Sequence, residues 1–183
     1  MPKKRRTARV LPTRFNPPTP NVDPLTLFRG INTYHHLARY IHCQDRTKGL
    51  IFTDGACLNN GQAIPRAGWA FVAEPPELAA THSCDNVKGR LEKKGPFGDD
   101  GTQTSNRAEL RAVLVALGLR HWPGEGFAML VFATDSEYVV EGATKWVKTW
   151  LKMGGSLQRE RRLKPETCGR CCLGRWRDLE IME

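Results

Sequence analysis

The sequence lacks any apolar run of the 18 or more residues that a membrane-spanning helix needs, so no spanning helix and no membrane partner is expected. The basic N-terminus has no apolar core behind it, so it does not read as a secretory signal peptide. Acids are scarce. Lys and Arg number 28 against 19 Asp and Glu, and the first 20 residues hold no acid at all. Cysteine is present but not in a secreted pattern. The six, at 43, 57, 84, 168, 171 and 172, do not form a disulfide framework, so free thiols in a reducing compartment are expected. Cys168-x-x-Cys171 is one half of a zinc site, but no second pair of ligands stands at suitable spacing.

What is there fits one domain plus a tail. The chain has 183 residues and is 40% hydrophobic, enough for a sizeable core. A formal charge of +9 favours an anionic partner, nucleic acid being the commonest; the bland alternative is a basic protein without one. Pro2-Lys3-Lys4-Arg5-Arg6 reads as a nuclear localisation signal or as a solvated tail. A nuclear destination is expected, with mitochondrial delivery as the rival for an acid-free basic start. Six of the twelve prolines lie in residues 1–24, where too little apolar surface can be buried to offset the entropy of ordering. Residues 1–46 are therefore expected as a basic, Pro-rich, largely disordered segment, and 47–183 as the folded domain. Leu25, Leu27, Phe28, Leu37, Tyr40 and Ile41 can form a short helix or dock on that domain.

From Gly49 the pattern sharpens. Residues 50–54 and 67–73 read as strands, a polar third is expected within 81–92, and 95–102 is a Gly-rich loop. Leu110, Val113, Leu114 and Leu117 recur at helical spacing and predict a helix over 106–119, ended by Pro123 and Gly124. Residues 128–135 are apolar on both faces and predict a central strand. Ser136 caps a short helix expected to break at Gly142, and another runs over 143–153. Strands in hairpin order followed by alternating helix and strand predict a mixed α/β sheet flanked by helices.

Three acids stand out. Asp54 and Asp135 each close an apolar strand, and Glu109 shares a helix face with Ala112, Val113 and Ala116, which must lie against the sheet. Singly each has a bland role. Asp54 can begin a turn, Asp135 can precede a cap, and Asn106-x-x-Glu109 fits a capping box. Together, three carboxylates repel, and in a partly buried site one or more would take up a proton unless cations intervene. Oxygen-only ligands suit Mg²⁺ or Mn²⁺. On a basic protein this points to metal-assisted attack of water on a phosphodiester, with two ions about 4 Å apart.

DGACLNNG, the AGW strand, TSNRAEL and ATDSEYVVEGATKWVKTW together resemble the ribonuclease H domain of eukaryotic, fungal-like type 1 ribonucleases H over about residues 49–183. The resemblance implies a ribonuclease H-like five-stranded sheet with flanking helices, a monomer, and Mg²⁺-dependent endonucleolytic cleavage of the RNA strand of an RNA–DNA hybrid. It implies Asp54, Glu109 and Asp135 as catalytic, metal-binding carboxylates. It places ribose 2′-hydroxyl contacts at Asn60, Ser105 and Asn106, and a DNA phosphate near Thr104; Ser105 stands where many members have Asn. Trp146 and Trp150, four apart, would line the groove for the DNA strand, beside Lys145, Lys148 and Lys152 at i, i+3 and i+7. Arg159, Arg161, Arg162 and Lys164 extend this positive segment.

The resemblance fails toward the C-terminus. Residues 159–174 depart from the family, and Arg175–Glu180 resembles the start of the helix before its last strand. A fourth Asp and a loop His, which the family carries after that strand, have no counterpart, and Asp178 matches a non-catalytic helix position. The fold is thus expected to be incomplete at this end. A hybrid-binding protein that does not cut is the alternative to the enzyme. TSNRAEL and TKWVKTW argue against another nuclease or an integrase of the same fold.

Overall fold

A computed structural model describes residues 11–33, 37–78, 85–95, 98, 100–152 and 179–182, without the side chains of 150–152 and 179–180. In chain order the elements are β1 (Thr13–Arg14), α1 (Pro24–Leu27), β2 (Phe28–Asn32), β3 (Ala38–His42), β4 (Lys48–Leu58), β5 (Arg66–Val72), β6 (Asn86–Arg90), α2 (Ser105–Leu119), β7 (Met129–Ala133), α3 (Glu137–Glu141), α4 (Val147–Lys152) and β8 (Leu179–Met182). A 3₁₀ turn, Trp122–Glu125, lies between α2 and β7, and a π turn, Gly142–Trp146, joins α3 to α4. No helix of the described residues is long and apolar enough to cross a membrane.

One mixed sheet organises the chain in the order β1-β8-β7-β4-β3-β2. Strand β4 is its axis. One edge of β4 pairs in parallel with β7 from Lys48↔Met129 to Phe52↔Ala133. Its other edge is shared. Gly49 and Leu50 pair with β3, while Phe52 to Leu58 pair with β5, which in turn pairs with β6. The mixed α/β sheet with flanking helices is thus as expected.

Both faces of this sheet are apolar, as strand periodicity requires of a sheet covered on two sides. Ile51, Phe132 and Ile181 point to a core that includes Leu110, Val113 and Ala116 of α2 and Val139 and Val140 of α3. Their chain neighbours Leu50, Val131 and Met182 point to the opposite face, where Phe15, Phe28 and Tyr40 cover them. Those three come from the first 46 residues. Described residues 13–42 are therefore not the largely disordered segment expected. Phe28 and Tyr40 are buried, and β2 and β3 extend the sheet antiparallel to β4.

An ionic cluster ties this extension to the far side of the domain. Arg39 is 2% exposed and donates to Asp85 at 2.6 Å and to Glu125 at 2.9 Å; Arg120 donates to the same Asp85 at 2.8 Å. The Arg39 guanidinium also stands 5.6 Å from the centre of the Trp122 ring.

Two expectations along the chain are corrected. The sequence predicts the start of a helix over Arg175–Glu180, yet Leu179–Met182 is a strand in parallel register with β7, from Leu130↔Leu179 to Ala133↔Met182. It supplies the strand beside β7 that the sequence was expected to lack, because Ile181 and Met182 each fill one face of the sheet. Gly142 does not break the helix either. It has helical angles (φ −58°, ψ −48°), its N–H bonds back to Tyr138 and Val139, and the Val147 N–H reaches its carbonyl to close the π turn. Residues 153–178, which hold the zinc half-site and Arg159, Arg161, Arg162 and Lys164, lie outside the described residues.

Replacing Arg39 by Met leaves the buried Asp85 and Glu125 short of a partner. We predict a loss of about 3 kcal/mol in unfolding free energy, read from urea denaturation; an unchanged midpoint would show that the cluster contributes nothing net.

Candidate active site

Strand β4 does not end at Asp54. It runs four residues further to Leu58, paired with β5 throughout. What ends there is its other neighbour. The β7 pairing stops at Phe52↔Ala133, so from Asp54 onward that edge of β4 is open. Asp135 stands beside the opening, two residues beyond the end of β7. The Ser136 N–H is held by Thr134 Oγ1 at 3.2 Å, and the Ser136 hydroxyl caps α3 by accepting from the Val139 N–H. The cap role is therefore filled by Ser136, which leaves the Asp135 carboxylate exposed.

The third acid arrives from α2. This helix is capped by Thr104, whose hydroxyl accepts the Arg107 N–H at 3.2 Å, rather than by the Asn106–Glu109 box. Glu109 therefore lies in the second turn, on the buried face with Ala112, Val113 and Ala116. Gly55 admits the helix backbone. A Cβ at residue 55 would lie 2.2 Å from the Glu109 nitrogen and 2.5 Å from the Ala108 carbonyl carbon. The small residue after Asp54 thus makes room for α2.

The result is that Asp54, Glu109 and Asp135 each offer a carboxylate oxygen within 4.8 Å of the others. Two are exposed, while Glu109 is 7% exposed. Burial, with the negative charges of Asp135 and Asp54 adding to it, pushes the Glu109 carboxyl up to about 7, against the opposing pull of the Gly55 N–H that bonds it. Its Oε2 is buried with no hydrogen-bond partner. A buried carboxylate with one orphaned oxygen, on one of three acids that converge, fits a divalent cation, which would satisfy the oxygen and cancel the repulsion. The donor set is all oxygen, which suits a hard cation.

The other expected contacts are spread around this centre. Thr104, Ser105 and Asn106 sit at the start of α2, one turn or so before Glu109; Ser105 is half-buried and Asn106 exposed. Asn60 is exposed in the β4–β5 turn, between Asn59 and Gly61 at φ 56° and 75°. Because β4 continues to Leu58, Asn60 stands roughly 13 Å or more along the strand from Asp54, at about 3.3 Å per residue. Lys145, Trp146 and Lys148 lie on the helix that begins just after Asp135. Trp146 is half-buried with its ring edge-on to Tyr138, 5.2 Å between centroids. Lys145 pairs with Glu141 at 2.6 Å, and Lys148 is exposed. The π turn, which contains Lys145 and leads into α4, adds a residue to one turn and disturbs the regular i, i+3, i+7 helical spacing of the basic stripe. The side chains of Trp150 and Lys152 lie outside the described residues. Sequence reasoning missed the role of Gly55, since only the path of α2 reveals it.

The family model described as RNase H matches residues 46–170. The chain is 35% identical over 107 residues to a ribonuclease H of Treponema pallidum, covering 57% of this chain and 58% of that protein. It is 33% identical over 105 residues to ribonuclease H1 of Homo sapiens, covering 57% of this chain and 31% of that protein. Among solved structures, a foamy viral protease–reverse transcriptase in complex with double-stranded DNA is similar at 22% identity and TM-score 0.49, over 73% of this chain and 79% of that one. The match thus spans 58% or less of the length of these two curated relatives.

Two outcomes are expected at this site. Gly55→Ala should cost about 1–3 kcal/mol by overpacking and weaken divalent-cation binding, read by denaturation and calorimetry; unaltered values for both would refute the close approach. The second concerns pH. Unfolded, Glu109 gives up its proton near 4.5, but folded it keeps it to about 7. Metal-free protein should therefore lose stability as pH rises between those values and level off above. Glu109→Gln should remove that part of the slope, and equal slopes for parent and variant would contradict the burial described here.

Proposed function

The chain belongs to the ribonuclease H family, and on that footing we propose that it hydrolyses the RNA strand of RNA–DNA hybrids with the help of divalent cations, Mg²⁺ foremost. The observation that carries the reading is the set of Asp54, Asp135 and the buried Glu109, with its partnerless Oε2. Bound cations in such a site activate water and neutralise charge at the leaving oxygen.

The chain's own residues do the rest. Asp54 and Asp135 are the open arms that would hold the cation, and Glu109 is the fixed one, locked by α2 against β4. Asn106, exposed in the first turn of α2, and Ser105 beside it present groups able to bond a ribose 2′-hydroxyl, which distinguishes RNA from DNA. Asn60 offers a second such contact further along the strand. The acceptor role of the Thr104 hydroxyl is taken by Arg107, but its O–H can still donate to a phosphate oxygen. Lys145 and Lys148 face solvent and supply phosphate contacts along the helix, Lys145 by exchanging its Glu141 partner for phosphate. The eukaryotic type 1 grouping rests on TSNRAEL and ATDSEYVVEGATKWVKTW.

The test is a labelled hybrid incubated with Mg²⁺. Asp54→Asn, Glu109→Gln and Asp135→Asn should each slow cleavage about a hundredfold or more, since metal ligation contributes several kcal/mol to the transition state. A parent protein that cleaves no faster than these variants would sink the enzyme reading. If it still bound the hybrid, it would be a binding protein.

A further inference from the structure

The face of the sheet that carries Asp54 continues across β5 to β6. Register places Asp54 opposite Ala70, and Ala70 opposite Lys88. In the next row Ala56 lies opposite Gly68, and Gly68 opposite Arg90. Alternation along a strand puts Asp54 and Ala56, Gly68 and Ala70, and Lys88 and Arg90 on one side. They line a single open groove that starts at Asp54 and ends at the two cations. Its floor has almost no side-chain bulk, so a ligand can lie close to the backbone.

Lys88 and Arg90 are exposed, and among the described residues neither has an ion pair. Their nearest acids along the chain are engaged elsewhere: Asp85, closest to Lys88, by Arg39 and Arg120, and Glu92, closest to Arg90, by Arg111. Three arginines of the domain are used internally. Arg39 and Arg120 hold Asp85, and Arg107 donates to the Thr102 and Lys94 carbonyls. The pair on β6 is thus uncommitted charge at the end of a groove that opens from the acidic centre. Two strand spacings separate Lys88 from Asp54, about 10 Å at roughly 4.8 Å each. That equals about three base steps of axial rise at about 3.4 Å per step.

We propose that the β5–β6 face is a backbone track for the hybrid, with Lys88 and Arg90 holding phosphates about three nucleotides from the site of cleavage. This deepens the reading given above and rests on it. Acids at one end and cations at the other divide the labour: the carboxylates would hold the divalent cation, and Lys88 and Arg90 hold neighbouring phosphates directly. The competing explanation is that Lys88 and Arg90 only blunt an edge strand, since β6 pairs with β5 alone among the described residues.

The salt dependence of hybrid binding separates the two. Affinity of the parent, Lys88→Ala, Arg90→Ala and the double variant for an RNA–DNA hybrid would be measured without Mg²⁺ over a range of NaCl concentrations. Arg29→Ala, exposed on β2 and not among the residues that line the groove, is the control. Each β6 substitution should lower the slope of log affinity against log salt by about 0.9, and the double variant by about 1.8, with weaker binding at every salt concentration. Arg29→Ala should leave the slope alone. A double variant that melts like the parent and keeps its slope would overturn the track while leaving the enzyme reading intact. A parent that does not bind the hybrid at all would overturn both.

Discussion

The approach of α2 to Gly55 is the contact on which the site depends. With no Cβ on residue 55, the helix backbone at Ala108 and Glu109 rests directly on β4. That contact fixes the Glu109 carboxylate beneath two exposed acids that two neighbouring strands deliver on their own. Without it, Asp54 and Asp135 would be ordinary surface carboxylates. With it, one oxygen is buried without a partner and a proton is retained to near neutral pH. The folded protein therefore carries an unfavourable cluster that a hard divalent cation would relieve, as expected where a site is built for binding rather than stability.

The sheet holds this arrangement in place by being apolar on both faces. Helices α2 and α3 cover one face, and Phe15, Phe28 and Tyr40 from the N-terminal residues cover part of the other. The Arg39 cluster then joins that N-terminal hairpin to Asp85 at the start of β6 and Glu125 before β7. Strand β4 is paired along both edges up to Phe52, and only beyond it does one edge open. The open edge is where the acids meet, so the end of β7 defines the site as much as the acids do.

How much of this is legible in the sequence follows the range of the interactions. The inward Glu109 is legible because a helix face is a local pattern, and Ala112, Val113 and Ala116 name it. The central strand before Asp135 is legible because a run apolar on both faces needs partners on both sides. Strands β2 and β3 are not legible. Their apolar residues are few, and their order depends on distant partners such as Leu50 and Asp85. Four residues at Leu179–Met182 are too short to show a period, and their pairing joins them to a strand dozens of positions earlier. Gly142 misleads for another reason. Glycine is a weak helix former, but this one is buried, and a Cβ there would come within 3.4 Å of the Trp146 ring, so packing overrides propensity.

The most direct test of the account is a proton count. Calorimetric titration of Mg²⁺ in buffers of different ionisation enthalpy measures the protons released on binding. A cation held by a Glu109 that titrates at about 7 should release roughly half a proton at pH 7 and almost none at pH 9, and Glu109→Gln should release none at either. Tight binding at pH 7 with no proton release, or release unchanged in Glu109→Gln, would show that the buried carboxylate is not part of the metal site.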